Sequence, residues 1–226
     1  MFGASIRRSC LPLRNRLVAM FPWLSGVTSR LDFGIRHLPR LTRDGWSAPL
    51  PPLLKRAFLK GVARDERARV FVETGTYLGD TTWYFRNSFE QLHSIEVDPY
   101  LFAQAAARFR GDRRIVVHQG DSGDVLPAIV PTLTEKCLYW LDGHYSAGIT
   151  GAGVSHCPVL TELDSIFTLS NAPFVIVIDD ARCFGNDPAY PAVAQVRDHV
   201  NALSRGAASV AVENDMIIIR QTSGAC

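Results

Sequence analysis

Five acidic side chains stand at places where a carboxylate can do chemistry. Glu73, Glu96, Asp142 and Asp179 each close a short run with strand character, and Asp121 follows the run Ile115–His118 after Gln119-Gly120. An isolated acid at such a place is often the N-cap of the next helix. Five on one edge of a sheet are harder to explain as caps, because ligands of open α/β sheets bind beyond the carboxyl ends of the strands. Ionised carboxylates there can accept charge-assisted bonds from sugar hydroxyls or hold a hard cation. His144, two residues after Asp142, belongs to the residue type that titrates near neutrality and is the candidate general base. A hydrogen-bonding surface histidine is the alternative.

The stretch Val70-Phe71-Val72-Glu73-Thr74-Gly75-Thr76-Tyr77-Leu78-Gly79-Asp80-Thr81-Thr82 reads as a buried strand, an acid and a glycine-punctuated turn that opens a helix. A dinucleotide fingerprint needs Gly-x-Gly-x-x-Gly, so that bare backbone can approach a pyrophosphate. Here Tyr77 stands two residues after Gly75, and its side chain obstructs that approach. The spacing keeps the tight turn and the helix-packing glycine, Gly79, and loses the phosphate cradle. A nucleoside without phosphates fits better. Glu96, at the end of the next strand and twenty-three residues after Glu73, is placed to accept both ribose hydroxyls. Asp98 stands nearer to the helix opened by Pro99 and is the better cap for it.

These groups need a scaffold, and the hydropathy pattern supplies one. Runs at Val70–Glu73, Leu92–Val97, Ile115–His118, Cys137–Leu141 and Phe174–Ile178 read as strands. Helical spacing is expected over Thr81–Glu90, Tyr100–Phe109, Pro158–Leu169 and Pro191–Leu203, with a short helix ending near Pro127 and another over Leu53–Arg64 ahead of the first strand. Val210–Val212 and Met216–Ile219, separated by Glu213-Asn214-Asp215, read as a terminal hairpin. Strands alternating with helices imply a doubly wound, Rossmann-like α/β fold with a mostly parallel seven-stranded sheet and an antiparallel C-terminal β-hairpin. Of the 226 residues, 47% are hydrophobic and 20% charged, enough for one full core plus an extension. The division expected is a basic extension and linker over residues 1–52 and the α/β domain over 53–226, with Trp46–Pro52 too proline-rich to continue a helix.

The net charge of +2 conceals an asymmetry: residues 1–60 carry eleven Lys and Arg against Asp32 and Asp44. The first 43 residues are read as a packing or solvated basic extension, with a peripheral contact to a membrane or acidic surface and an organellar transit peptide as alternatives. They lack the aromatic interleaving of nucleic-acid binders, so no nucleic acid is expected. Five cysteines with no CxxC spacing suggest neither a disulfide framework nor a zinc cluster, and a reducing, cytoplasmic setting fits best.

Taken in order, Val72-Glu73-Thr74-Gly75-Thr76-Tyr77-Leu78-Gly79, Ile95-Glu96-Val97-Asp98 and Gly120-Asp121-Ser122 resemble the class I S-adenosylmethionine-dependent methyltransferases. The resemblance covers roughly residues 70–182. It implies that Glu73 and the backbone of Thr74, Gly75, Tyr77 and Gly79 hold the methionine end of the donor, and that Asp121 or Ser122 meets the adenine. The Tyr77 ring can also pack on the sulfonium. Asp142 and the Asp179-Asp180 pair end neighbouring strands, so their carboxylates can converge, and this looks like the metal-dependent O-methyltransferases of the catechol and macrocin types. The resemblance then implies Mg2+ held by Asp142, Asp179 and Asp180, with Asp142 and His144 as catalytic groups and a small-molecule hydroxyl as acceptor. Adjacent residues in a strand point to opposite faces, so Asp179 and Asp180 can share a ligand only if the chain has already turned. Helix capping or pairing with Arg182 is the alternative for these acids. Ser146–Gly153 is read as a substrate lid or a flexible crossover. A NAD-dependent oxidoreductase, a non-catalytic nucleoside-binding protein and a homo-oligomeric assembly stay open.

Overall fold

The structure is a computed structural model that describes residues 49–143 and 157–222. Its centre is a seven-stranded sheet. The strands are β1 (Val70–Thr74), β2 (Gln91–Glu96), β3 (Ile115–Gln119), β4 (Cys137–Leu141), β5 (Phe174–Ile178), β6 (Ala208–Glu213) and β7 (Met216–Gln221). They lie in the order β3-β2-β1-β4-β5-β7-β6. The first five are parallel, whereas β7 runs antiparallel to β5 and β6. This is the expected sheet, closed by the expected hairpin.

The helices are α1 (Pro52–Asp65), α2 (Asp80–Phe85), α3 (Pro99–Arg108), α4 (Ser122–Ile129), α5 (Val159–Leu169) and α6 (Val193–Ser204). Every residue of β1, β4 and β5 is buried, which is why these strands read as continuous apolar runs rather than alternating ones. Val72, Tyr139 and Ile176 face one core with α4, α5 and α6, while Phe71, Leu138 and Val175 face a second with α1 and α3. The edge strand β3 shows its position by partial exposure.

One helix is shorter than its sequence suggests. The helix expected over Thr81–Glu90 stops at Phe85, and Ser88 N–H closes a turn on the Phe85 carbonyl at 2.7 Å. The turn lets Phe85 and Phe89 both pack on Phe71, with ring centroids 5.0 and 5.2 Å away. The helix expected to end near Pro127 instead runs through it to Ile129, where Leu126 and Ile129 reach the core. The hairpin turn consists of Asn214 and Asp215 alone, both at positive φ, as a two-residue turn matched to strand twist requires.

No described helix is long and apolar enough to cross a membrane. The expectations for residues 1–43, for the loop Ser146–Gly153 and for His144 lie outside the described residues.

Candidate active site at the β1–β4 switch point

The chain leaves β1 outward through β2 and β3, then returns on the other side of β1 as β4. Between β1 and β4 the strand order reverses, and connections on the two sides depart in opposite directions, leaving a crevice at the carboxyl edge. Ladder bonds continue just past the strand ends. Gly75 N–H donates to the Ile95 carbonyl at 3.0 Å, Asp142 N–H to Thr74 at 3.1 Å, and Asp179 N–H to Leu141 at 3.0 Å. Gly75, Asp142 and Asp179 therefore stand in one row at one edge, with Glu96 beside them.

Glycine is required at the centre of this row. Gly75 has φ +86°, and a Cβ there would lie 2.5 Å from the Asp142 carbonyl oxygen. Gly79, at φ +74°, presses against the Phe109 ring, which a Cβ would meet at 2.9 Å. The turn between them is held by carboxylates. Glu96 accepts the Tyr77 N–H at 2.7 Å through one oxygen and the Asp98 N–H at 2.9 Å through the other. Tyr77 itself adopts φ +49°, and that bond to Glu96 anchors its left-handed backbone. Each Glu96 oxygen keeps a second lone pair, so the carboxylate is still able to receive a ribose. Burial pushes its pKa up, although the backbone donors of Asp98 and Tyr77 oppose this.

Glu73 is engaged within the protein. Its Oε2 accepts from Thr82 Oγ1 at 2.6 Å and from Ser94 Oγ at 2.7 Å. It is buried, and burial pushes its pKa up to about 7. The side chain thus braces the underside of the turn, and its contacts tie β1 to β2 and α2. Asp98 caps α3 by accepting the Tyr100 and Leu101 N–H groups at 2.8 and 3.1 Å. Asp121 likewise caps α4 through Gly123 N–H at 2.9 Å, with Ser122 buried beside it.

On the other side of the crevice, Asp179 and Asp180 meet on one point, and Asp142 lies close enough to add its charge there. Strand β5 has ended by Asp180, whose φ of +58° turns the chain so that both acids of the pair reach one point. The β6–β7 turn braces this bend: Ala181 N–H donates to the Asp215 carbonyl at 2.8 Å, and Arg182 N–H to Asp215 Oδ1 at 2.8 Å. Arg182 also bonds Asp180 Oδ1 at 2.8 Å and the Asp215 carboxylate through its guanidinium.

The cation at the point of convergence is Lys55, from the first turn of α1. Its Nζ donates to Asp179 Oδ2 and, at 3.2 Å, to Asp180 Oδ1. Asp179 Oδ1 accepts the Asp180 N–H at 2.8 Å, so both Asp179 oxygens are engaged. Burial disfavours the Lys55 charge, but Asp179, Asp142 and Asp180 outweigh it and raise its pKa. Burial first, and then the charge of Asp179, raise Asp142 well above the usual carboxylate range. Among the described residues no group of three or more His, Cys, Asp or Glu side chains is arranged to hold a metal ion. A magnesium ion needs oxygens at about 2.0–2.1 Å in near-octahedral array. The ammonium stands where such an ion would have to sit, so the residues as placed do not fit one.

Two ionisable side chains beside the crevice were not anticipated. Lys55 is one. The other is Glu162 of α5, fully buried, with neither oxygen within good hydrogen-bonding geometry of a partner. It lies under Gly143, whose Cβ would come within 3.6 Å of Glu162 Oε1 and 3.2 Å of Thr74 Oγ1. Burial pushes its pKa up to about 7 despite the nearby Ser122 and Thr74 hydroxyls.

No family model and no curated protein matches the chain. Solved structures do. The O-methyltransferase TomG from Streptomyces achromogenes, involved in tomaymycin synthesis and solved with SAM, aligns at TM-score 0.54 and 19% identity over 87% of both chains. An O-methyltransferase from Bacillus cereus in complex with SAH aligns at 0.53 and 15% identity, covering 94% of this chain and 98% of that one. The N-methyltransferase NodS from Bradyrhizobium japonicum with S-adenosyl-L-homocysteine aligns at 0.52 and 13%, covering 88% and 98%. At these identities the likeness is one of fold. The chain has the fold of the class I S-adenosylmethionine-dependent methyltransferases, as its motifs led one to expect.

Proposed function

We propose that the protein transfers the methyl group of S-adenosylmethionine to a hydroxyl oxygen of a small molecule. The observation that carries this reading is the single row at the β1–β4 switch point, where Gly75 lies against Asp142 with Glu96 alongside. Bare backbone at Gly75 lets the turn after β1 close against Asp142, and the methionine end of the donor lies in the crevice beside that turn. The remaining Glu96 lone pairs face a ribose diol in charge-assisted bonds, and Asp121 or Ser122 stands at the adenine end. Tyr77 between the glycines argues against a pyrophosphate, and so against a nicotinamide dinucleotide.

The acceptor then approaches from the Asp142 and Asp179 side. An oxygen lone pair attacks the methyl carbon, and the carbon–sulfur bond breaks with its electron pair going to sulfur, which leaves S-adenosylhomocysteine. No covalent enzyme intermediate is needed, and alignment of the two reactants supplies most of the rate. The acceptor proton passes to a base, for which His144 is the candidate. The polar, charged lining of the acceptor side suits a hydroxylated substrate. N-methylation is the competing reading, favoured by the NodS likeness.

Incubation with methyl-tritiated S-adenosylmethionine and matched panels of phenols, sugars and amines tests this reading. Label is expected in hydroxyl acceptors as stable ethers. Label confined to amines refutes the oxygen assignment, and failure of S-adenosylhomocysteine to bind refutes methyl transfer altogether.

A further inference from the structure

We infer that the Lys55 ammonium is the resident cation of the acceptor half of the site and takes the place of a divalent metal ion there. The inference rests on the methyl-transfer reading above.

The geometry is specific. Lys55 Nζ bonds two carboxylates from the end of β5, and Asp142 at the end of β4 adds its field to the same point. The Lys55 side chain is 16% exposed and Asp179 is 2% exposed, so this is an enclosed contact rather than a solvated surface pair. Three buried or half-buried acids need a cation nearby, since an uncompensated buried charge is costly. A divalent ion could meet that need, but it would demand the same oxygens that the ammonium already engages. Like charges cannot share the position.

The fold explains why the lysine arrives there. A few residues join α1 to β1, and Leu59, Val62 and Ala63 pack α1 on the sheet. The helix therefore runs back along the strands, and its first turn lands at their carboxyl edge. The ammonium has three N–H groups. With two donated to Asp179 and Asp180, the third is left for the acceptor oxygen, so Lys55 can orient an acceptor as well as neutralise the acids.

The inference is tested by whether the position accepts a divalent ion only once the ammonium is gone. Mn2+ is titrated into the full chain saturated with S-adenosylhomocysteine, and free ion is read by electron paramagnetic resonance. The proteins compared are wild type, Lys55→Met, Asp179→Asn, and Lys55→Met combined with Asp179→Asn. Wild type is expected to leave the ion free. Lys55→Met is expected to bind one ion at least about tenfold more tightly, because Asp179 then lacks its cation, and the double variant to lose that site. A wild-type site that disappears in Asp179→Asn overturns the inference, as does a Lys55→Met protein that binds no better than wild type. If Lys55→Met does not melt cooperatively, the wild-type titration decides alone: free ion supports the inference, and a site sensitive to Asp179→Asn overturns it. Failure of the wild type to bind S-adenosylhomocysteine appears before any metal is added and counts against methyl transfer instead.

Discussion

Replacing Glu162 by glutamine tests whether this carboxyl is held neutral beneath the site. The group is fully buried, and burial pushes its pKa up to about 7 from 4.5. Between those values the folded chain holds a proton that the unfolded chain has released, so stability falls as pH rises through that window. The cost is up to about 1.4 kcal/mol per pH unit, or about 3 kcal/mol across the window. It is absent below the unfolded value and complete above the folded one. Glutamine keeps the shape without the charge. Glu162→Gln should therefore match wild type near pH 4.5 and exceed it by up to about 3 kcal/mol at pH 8. For a domain of this size that corresponds to roughly 6–12 °C in melting temperature. Glu73 titrates in the same window, but it is present in both proteins and cancels in the difference. Thermal melts by circular dichroism from pH 4.5 to 8.5 read the effect. Parallel curves for the two proteins would refute the reasoning.

Gly75→Ala should lower stability by at least about 2 kcal/mol, since it combines left-handed strain with a backbone clash; chemical denaturation measures this, and a smaller loss would mean that β1 and β4 part easily. Asp98→Ala removes the acceptor for two N–H groups at the start of α3 and should cost about 1 kcal/mol, read as a lower melting temperature. Asp98→Asn should recover most of it, and equal losses in the two variants would argue against capping.

Much of this was legible in the chain. Strands β4 and β5 were bounded correctly because strands buried on both faces show as continuous apolar runs between breakers. Asp98 was recognisable as a cap from Pro99 after it. Helix α2 was not, since the turn that shortens it serves contacts of Phe85 and Phe89 with Phe71, and periodicity does not report those. Glu162 had a signal that went unused. It interrupts the stripe Val159, Leu163 and Ile166 at a core-facing position, and a carboxyl there must be buried. Lys55 was hidden by the 124 residues separating it from Asp179. Its place follows only from noticing that a helix leading directly into β1 must begin at the carboxyl edge. The turn at Asp180, on which the convergence of the acid pair depended, is set by its contacts with Asp215, which lies beyond any local pattern.

The central claim is that the donor's ribose rests on Glu96 at the switch point. Calorimetric titration of S-adenosylhomocysteine into wild type and Glu96→Ala tests it most directly. Hydrogen bonds to a charged group are worth roughly 1.5–3 kcal/mol, so the variant should bind about 10- to 150-fold more weakly while wild type binds at a single site. An unchanged dissociation constant in Glu96→Ala, or no binding by wild type, would contradict the account.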